Sequence, residues 1–384
     1  MRLVVVPAIV LVAVALLATV PASAAPEQGA TQFIVVLDDS VGAASAIATQ
    51  HARRFGVDVT HVYENALKGY AGRLPAGVLG AVLGDARVTS VEVDAPVEAF
   101  TTQTNATWGL DRIDQRALPL SSTFTYQNTG AGVKAYIIDT GIRASHNEFG
   151  GRVVDGRDTV DGSLPAADCN GHGTHVAGTV GGSTYGVAKG VTLVAVRVLS
   201  CSGSGSTSGV IAGVDWVTAD HAAGQPAVAN MSLGGGASSA LDTAVRNSIA
   251  DGVSYAIAAG NGNIFGQAVN ACTVSPARVG EAMTVSATMN TDRKASWANY
   301  GNCVDWFAPG VGITSAWYTS STATNTISGT SMATPHTAGV AALYLQGNPG
   351  ASPATVRSAL FAATTKNIVT GARSANNDLL FTSY

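Results

Sequence analysis

The alternation of strands and helices from residue 133 onward constrains the fold more than any other feature. Short apolar runs predict buried strands, at 133–138, 191–198, 227–232, 253–259 and 282–287. Longer segments predict helices, at 172–182, 209–222, 240–251 and 331–346. Such alternation is typical of a three-layer α/β fold with a mostly parallel central sheet and helices on both faces. Ligands of such sheets bind beyond the carboxyl ends of the strands, where Asp139 and Ser232 follow predicted strands.

Three residues in separate glycine-rich motifs have the side chains that acyl transfer requires. Ser331 begins a predicted helix in GTSMATPH (329–336), His172 lies in NGHGTHVAGT (170–179), and Asp139 precedes Thr140 and Gly141. A serine hydroxyl is a weak nucleophile at neutral pH and needs a base, and a histidine needs a carboxylate to orient it. Each residue alone has an ordinary alternative: a helix cap, a satisfied polar group or a turn former. Together, in this order, they predict a catalytic triad.

These three motifs resemble those of the subtilisin-like serine proteases, and the proteinase K branch fits best. Within that branch, WGLDRIDQ (108–115) and DCNGH (168–172) are similar to the aqualysin group. The resemblance covers about residues 101–384 with high specificity, and about 30–100 less specifically as a propeptide. It implies a subtilisin-like fold and hydrolysis of peptide bonds, without a catalytic cofactor, through an acyl-enzyme formed on Ser331.

The resemblance also assigns the rest of the active site. Asn261 is expected to supply the oxyanion-hole amide together with the backbone N–H of Ser331, although an asparagine beside a glycine is more often a turn residue. Extended substrate would pair with two segments and enter an apolar primary pocket. These substrate-binding residues are Gly203, Ser204, Gly205, Ser232, Leu233, Gly234, Ala258, Ala259 and Gly260. Gly262 stands where some relatives of the family have an acidic residue, so we expect little preference for a basic residue in the primary pocket. Thr207 lies in a more distant part of the predicted binding site, and the side chains preferred there stay open.

The amino terminus and the overall charge predict an exported protein. A single Arg2, an apolar run from residue 3 to 20 and an Ala-Ser-Ala site indicate a signal peptide over residues 1–24. A membrane anchor is the alternative, against which Pro7 and the cleavage-like site speak. The net charge is −4 with 12% charged residues and without a basic run, which argues against nucleic-acid binding. We expect a secreted monomer that contacts no membrane after signal cleavage.

Residues 31–100 predict a small domain of their own. Strand, helix, strand, helix and strand follow in turn, at 32–37, 43–55, 57–63, 79–83 and 88–94. This order is typical of a ferredoxin-like α+β fold. ALKGY (66–70) resembles the family's propeptide, which implies an intramolecular chaperone and inhibitor that precedes a peptidase domain at 101–384. The alternative is an accessory domain that stays attached.

The four cysteines predict disulfides because the chain is expected to be exported. Four cysteines allow three pairings, and a zinc site is disfavoured because there is no Cys-x-x-Cys pair. Pairing Cys169 with Cys201 and Cys272 with Cys303 would close two loops of about 30 residues, each worth roughly 3–4 kcal/mol by chain entropy. The resemblance to the aqualysin group implies this same pairing.

Structural calcium is expected at two places, again from the resemblance. One site would use the Asp305 carboxylate with the carbonyls of Gly280 and Ala282. The other would use Asp111, Asp114, Gln115, Ser121 and Thr123. Calcium prefers oxygen ligands, and Asp111 and Asp114 are about one helical turn apart. The alternatives are a hydrogen-bonded strand-end carboxylate at Asp305 and solvated helix caps at Asp111 and Asp114.

Two other functional classes compete with a protease of broad specificity. A catalytically silent binding protein on the same fold is disfavoured because all four catalytic positions are intact. An esterase or lipase is disfavoured because residues 329–333 lack the last glycine of the Gly-x-Ser-x-Gly elbow. The sequence therefore favours a secreted serine endopeptidase that is made as a self-processed precursor.

Overall fold

The computed structural model describes residues 32–94 and 101–384, which form two compact units. The predicted signal peptide, residues 1–24, lies outside the described residues. Among the residues described, no helix has the length and apolar character needed to cross a membrane.

The first unit is a four-stranded antiparallel sheet with two helices. Its elements are β1 Gln32–Leu37, α1 Ala44–Phe55, β2 Asp58–Tyr63, β3 Gly69–Arg73, α2 Leu79–Leu83 and β4 Val88–Val93. The sheet order β2-β3-β1-β4 is the ferredoxin-like arrangement, which confirms that part of the predicted fold. Strand β3 was not predicted from the sequence, although it joins β1 to β2. Tyr70 on β3 is fully buried between Val35 and Val62 in the strand register, so this strand is central to the small core.

The second unit is built on a seven-stranded parallel sheet. Its first elements are β5 Thr101–Thr104, α3 Trp108–Ile113, β6 Thr123–Tyr126, β7 Lys134–Asp139, β8 Val153–Asp158, α4 His172–Gly181, β9 Thr192–Arg197, α5 Thr207–Asp220, β10 Ala227–Met231 and β11 Gly235–Gly236. The remaining ones are α6 Ser239–Asp251, β12 Ser254–Ala258, β13 Val274–Ser275, β14 Met283–Thr288, β15 Trp306–Pro309, β16 Ile313–Ala316, β17 Thr324–Ile327, α7 Thr330–Gly347 and α8 Pro353–Ala363. The central order is β15-β14-β12-β10-β7-β9-β8, and every pair is parallel. The predicted three-layer architecture with a mostly parallel central sheet is confirmed.

Successive residues of the central strands supply two separate cores. On β7, Ala135 and Ile137 pack in the core that contains α4 and α7, whereas Tyr136 and Ile138 pack in the core with α5 and α6. Since side chains alternate across a strand, a strand with both faces buried is apolar throughout. This is why the sequence contains continuous apolar runs here.

The chain leaves strands β7 and β10 in opposite directions along the sheet. After β7 it continues toward β8 and β9 on one side, and after β10 it continues toward β12 and β14 on the other. The two strands are neighbours, so a crevice opens at their carboxyl ends. Asp139 ends β7 and Ser232 follows β10, which places both residues at this crevice.

Candidate active site

Asp139 and His172 are hydrogen-bonded at the carboxyl end of β7. The Nδ1 atom of His172 lies 2.8 Å from Oδ1 and 3.0 Å from Oδ2 of Asp139. Asp139 is fully buried, while about a quarter of the His172 side chain is exposed, at 26%. His172 is the first residue of α4, so its backbone position is fixed by the helix and its ring reaches the crevice. A buried carboxylate on Nδ1 leaves Nε2 free to accept a proton.

Opposing influences set the pKa of His172, and the net shift is upward. Burial lowers the pKa of this imidazole, but the charge of Asp139 and its hydrogen bond raise it, and the charge of Asp168 adds to that. The raised pKa means that the protonated imidazole is stabilised relative to a free histidine. A base that becomes charged during a reaction benefits from this stabilisation.

Asp168 holds the loop before His172, a role that was not predicted from the sequence. Its Oδ1 accepts hydrogen bonds from Thr140 Oγ1 (2.9 Å), Asn170 N (2.9 Å) and Gly171 N (2.8 Å). Its Oδ2 accepts from Thr174 N (2.9 Å) and Thr174 Oγ1 (2.6 Å). These five bonds tie the residue after Asp139 to the first turn of α4. An aspartate two residues before Asn-Gly-His was the available signal, but its partners are not readable from the sequence.

Ser331 lies in the first turn of α7 and is almost buried. Its hydroxyl donates to the carbonyl oxygen of Ser232 at 3.1 Å and not to His172. In uncomplexed enzymes the catalytic hydrogen bonds are often unformed and tighten when substrate binds. The hydrogen bond between Asp139 and His172 is therefore present in the structure, whereas the Ser331 hydroxyl donates to Ser232 instead of His172.

The amide of Asn261 is oriented by Thr330, the residue before Ser331. Oδ1 of Asn261 accepts from Thr330 N (2.8 Å) and Thr330 Oγ1 (2.9 Å), which directs Nδ2 away from these partners. Asn261 and Ser331 line the same opening. Because the first four N–H groups of a helix lack partners within the helix, the Ser331 N–H is available to a ligand as well. The two donors of the predicted oxyanion hole therefore border one space.

Two openings with volumes of about 570 and 440 Å³ form a continuous cleft around Ser331 and His172. They share residues 232–236, and the larger one is lined by His172, Thr207 and residues 202–206. The smaller one is lined by Ala258, Gly260, Val274 and Ser331. Both predicted substrate segments thus lie along the cleft. Ala259 does not line it: its side chain is fully buried in the core with α5 and α6, because it points to the opposite side of the chain from Ala258.

The carboxylates of Asp111 and Asp114 lie in one polar cluster beside α3. Asp111 is buried and accepts from Ser121 N, Ser121 Oγ and Ser122 N, so it is not the solvated cap that was one alternative. Asp114 Oδ2 accepts from Thr125 N at 2.7 Å, but its Oδ1 is buried without a partner. Burial, together with the charge of Asp111, raises the pKa of Asp114 to about 6. An unpartnered carboxylate oxygen here fits a cation ligand.

Asp305 has a different environment, which already contains a cation. The guanidinium of Arg357 on α8 contacts Asp305 Oδ1, and Thr284 N donates to Oδ2 at 2.7 Å. Both carboxylate oxygens are therefore occupied by hydrogen-bond donors, and this arrangement does not fit a calcium ion. Among the described residues, no group of three or more histidine, cysteine or acidic side chains is arranged as a metal cluster. Calcium at Asp305, Gly280 and Ala282 stays a prediction that requires Arg357 to move away.

Both disulfides are present with the pairing implied by the resemblance. Cys169 is bonded to Cys201 with Cα atoms 4.9 Å apart, and Cys272 is bonded to Cys303 with Cα atoms 5.3 Å apart. The first bond joins the loop before His172 to the segment that contains Gly203. It therefore connects the loop before His172 to one wall of the cleft.

Comparison with known proteins identifies the family of the chain. The model of the subtilase family, peptidase family S8, matches residues 130–379. An extracellular serine proteinase of Thermus sp. (strain Rt41A) is 60% identical over 330 residues, which cover 86% of this chain and 79% of that protein. Alkaline serine exoprotease A of Vibrio alginolyticus is 53% identical over 333 residues, which cover 85% of this chain and 61% of that protein.

A crystal structure of a cold-adapted subtilisin-like serine proteinase superposes with a TM-score of 0.69. It is 56% identical and covers 72% of this chain and 98% of its own. The predicted recognition, fold and enzyme class are confirmed, and the extracellular location named for the Thermus relative agrees with the predicted export. The chain belongs to the subtilase family and is a serine endopeptidase.

Proposed function

We propose that the protein is a secreted endopeptidase that cleaves peptide bonds by nucleophilic attack of Ser331, with His172 as the base and Asp139 as its orienting carboxylate. The observation that carries this proposal is the buried Asp139 in contact with His172 Nδ1 beside the cleft that Ser331 lines. Subtilisin carries its triad in the same chain order, Asp, His, Ser. The remaining residues of the cleft are consistent with each step.

In the first step, the Ser331 hydroxyl leaves the Ser232 carbonyl and turns toward Nε2 of His172. His172 takes the hydroxyl proton as Oγ bonds to the scissile carbonyl carbon, and the carbonyl oxygen becomes an oxyanion. Nδ2 of Asn261 and the N–H of Ser331 donate to this oxyanion. In subtilisin itself, loss of the equivalent amide costs about 10²–10³ in turnover.

In the second step, the C–N bond breaks and the imidazolium gives its proton to the leaving amine. A water molecule then attacks the acyl-Ser331 while His172 takes one of its protons. The new tetrahedral species collapses, the bond between Oγ and the acyl carbon breaks, and the imidazolium returns its proton to Oγ, which releases the acid and restores Ser331 and neutral His172. The raised pKa of His172 favours the steps in which His172 takes a proton, because the charged imidazole is stabilised by Asp139 and Asp168.

Substrate would bind as an extended strand along residues 203–205 and 232–234. Backbone hydrogen bonds then supply affinity that does not depend on side chains, which favours broad specificity. The residue before the scissile bond would enter the smaller opening, where Ala258, Gly260 and Val274 form apolar or small walls. Among the described residues that line this opening none is charged, so we expect a preference for apolar residues over basic ones.

We also propose that residues 31–100 act as a propeptide that assists folding and inhibits the enzyme until it is removed. The ferredoxin-like unit has its own core, with Val35, Ile47 and Tyr70 buried, so we expect it to fold when it is produced as a separate segment. Added at stoichiometric concentration, this segment should suppress casein hydrolysis by the mature enzyme. Unchanged hydrolysis would favour the accessory-domain alternative.

The cluster around Asp111 and Asp114 would hold a structural calcium ion. Asp114 supplies a buried oxygen without a partner, and Gln115, whose amide nitrogen already donates to Ala117 O and Pro119 O, presents its own side-chain oxygen. Ser121 and Thr123 add hydroxyl oxygens. Calcium would offset the charge of the two carboxylates and join α3 to the start of β6, without taking part in the chemistry.

Labelling with a serine-directed fluorophosphonate tests the central proposal. We expect a single labelled residue, Ser331, and we expect casein hydrolysis to stop as the label is incorporated. A silent binding protein would not be labelled. An esterase would be labelled at Ser331 but would leave casein intact while it cleaves simple esters.

A further inference from the structure

Ile264 and Phe265 are the two most exposed large hydrophobic side chains among the described residues. Ile264 is 94% exposed and Phe265 is 78% exposed, whereas the next most exposed, Leu164, reaches 61%. Exposed apolar residues are ordinary when they occur singly. Ile264 and Phe265, however, are adjacent and lie at the tip of a loop beside the cleft, so their exposure calls for a specific explanation.

The loop that presents them has a defined shape. Asn263 Oδ1 accepts from Phe265 N at 3.0 Å and from Gln267 N at 3.1 Å, and Asn263 N donates to Gln267 O at 2.9 Å. At its base, Asn299 Oδ1 accepts from Gly262 N and Val269 N, at 3.0 and 2.9 Å. The loop that carries both exposed side chains is thus held by hydrogen bonds from its backbone to the side-chain oxygens of Asn263 and Asn299.

The position of this tip connects it to the substrate. Ile264 follows Asn261 by three residues, and both line the opening of about 440 Å³ that Ser331 also lines. The inner walls of that opening are small: Ala258, Gly260 and Val274. A large side chain that enters it would keep its outer part in water unless a further apolar group covers it.

We propose that Ile264 and Phe265 form an apolar contact site for the polypeptide substrate, which covers a large apolar side chain, such as leucine or phenylalanine, of the residue before the scissile bond. This inference rests on the proposed function, because it takes the opening beside Asn261 and Ser331 as the primary pocket. Ile264 extends the wall of the pocket, and Phe265 covers its outer rim. Contact removes apolar surface of both partners from water, which stabilises the complex in proportion to the area buried.

The consequence is a preference for large over small apolar residues. An alanine at this position would end at the inner walls and would not reach the tip. A hydrophobic pocket distinguishes side chains that differ by one methylene by roughly 10–200-fold. Removal of the tip should therefore reduce the discrimination between leucine and alanine and leave the chemistry on Ser331 unaffected.

The test compares the wild type with Ile264→Ser, Phe265→Ser and the double variant. The control is Val154→Ser, which removes a 50% exposed apolar side chain from an edge strand that does not line the cleft. Two peptide substrates, identical except for leucine or alanine before the scissile bond, give kcat/KM. For the double variant we expect about a tenfold loss with the leucine peptide and less than about a twofold change with the alanine peptide. The control should match the wild type with both.

The rate of fluorophosphonate labelling of Ser331 distinguishes a failure of the contact site from a failure of the proposed function. Normal labelling with an unchanged leucine-to-alanine ratio in the double variant would overturn the contact site and leave the proposed function standing. A wild type that neither labels at Ser331 nor cleaves either peptide would overturn the proposed function, and the contact site with it.

Discussion

Ser232 and Ser331 exchange two hydrogen bonds across the crevice. Oγ of Ser232 donates to the carbonyl oxygen of Ser331 at 2.8 Å, and Oγ of Ser331 donates to the carbonyl oxygen of Ser232 at 3.1 Å. In an α-helix the Ser331 carbonyl would accept from the residue four positions later, but that residue is Pro335, which has no N–H. Ser232 therefore supplies the donor that Pro335 cannot, and Asn230 in turn donates to the Ser232 hydroxyl at 2.9 Å.

Replacement of this hydroxyl should lower both stability and activity. Ser232→Ala leaves the buried Ser331 carbonyl and the Asn230 amide without their partner, which should cost about 1–3 kcal/mol in the free energy of unfolding. We expect kcat to fall as well, because the first turn of α7 that positions Ser331 loses its contact with β10. Urea denaturation and peptide hydrolysis measure the two effects. The exposed Ser296→Ala is the control, and a Ser232→Ala variant equal to it in both would contradict the role given to Ser232.

The charge of Asp168 should be visible in the pH dependence of the reaction. His172 acts as a base only when neutral, so activity falls as the pH drops through its pKa. Asp168 raises that pKa, and Asp168→Asn removes the charge, so the acid limb of kcat/KM should move to lower pH. The variant should also lose stability, because an amide nitrogen cannot accept the two bonds from Thr174. The control is Asp215→Asn, which removes an equal charge on α5 and should leave the acid limb of kcat/KM at the same pH. A shift of this acid limb to higher pH in Asp168→Asn would contradict the role given to Asp168.

Processing of the precursor should depend on Ser331. The composition changes from the acidic segment VEVD (91–94) to the polar run TTQT (101–104), which predicts cleavage near residues 100–102. Ser331→Ala should remain at precursor size on a gel when it is expressed alone, because the acyl-enzyme cannot form. Addition of a trace of mature wild-type enzyme should then convert it. Normal maturation of the variant without added protease would exclude Ser331 as the nucleophile.

The two disulfides should differ in their effect on activity although they are alike in loop length. The sequence separations are 32 and 31 residues, so chain entropy predicts a similar loss of about 3–4 kcal/mol when either is removed. Only Cys169–Cys201 joins the loop before His172 to the wall at Gly203. Replacement of that pair by serines should lower kcat/KM at temperatures where the protein stays folded, and replacement of Cys272–Cys303 should not. Mass mapping of unreduced peptides checks the pairing, which a free thiol or a crossed bond would contradict.

Buried central strands were readable from the sequence because both of their faces are apolar. Outer strands were not: β8 has exposed positions and a register shift between Asp155 and Arg157, and β15 is short and ends at Pro309. Strand β3 contains two glycines, Gly69 and Gly72, which reduce the strand signal although the backbone is central to its sheet.

Asp139, His172 and Ser331 could be proposed as catalytic from the sequence because each lies in a motif, whereas the residues that support them depend on distant partners. The exchange between Ser232 and Ser331 joins residues 99 positions apart, and Arg357 reaches Asp305 across 52 positions. In the sequence, Ile264 and Phe265 lie among glycine and polar residues, in GNGNIFGQ (260–267), which does not say whether the two side chains are buried or exposed. Only their exposure in the folded loop distinguishes them.

Calcium should stabilise the folded enzyme through Asp114, with the triad unaffected. A ligand that binds only the folded state adds about 2.7 kcal/mol at a hundred times its dissociation constant. In the Ser331→Ala background, which prevents autolysis, calcium should raise the melting temperature and a chelator should lower it. Asp114→Asn should lose most of this response, because it removes the charge of the carboxylate whose Oδ1 is buried without a partner.

Asp305→Asn discriminates between the two sites. Since Arg357 already neutralises Asp305, this variant should keep the calcium response while it loses stability from the broken ion pair. A response that is lost in Asp305→Asn and kept in Asp114→Asn would place the ion at Asp305, with Arg357 displaced. If neither calcium nor chelator changes the melting temperature, both calcium sites are excluded.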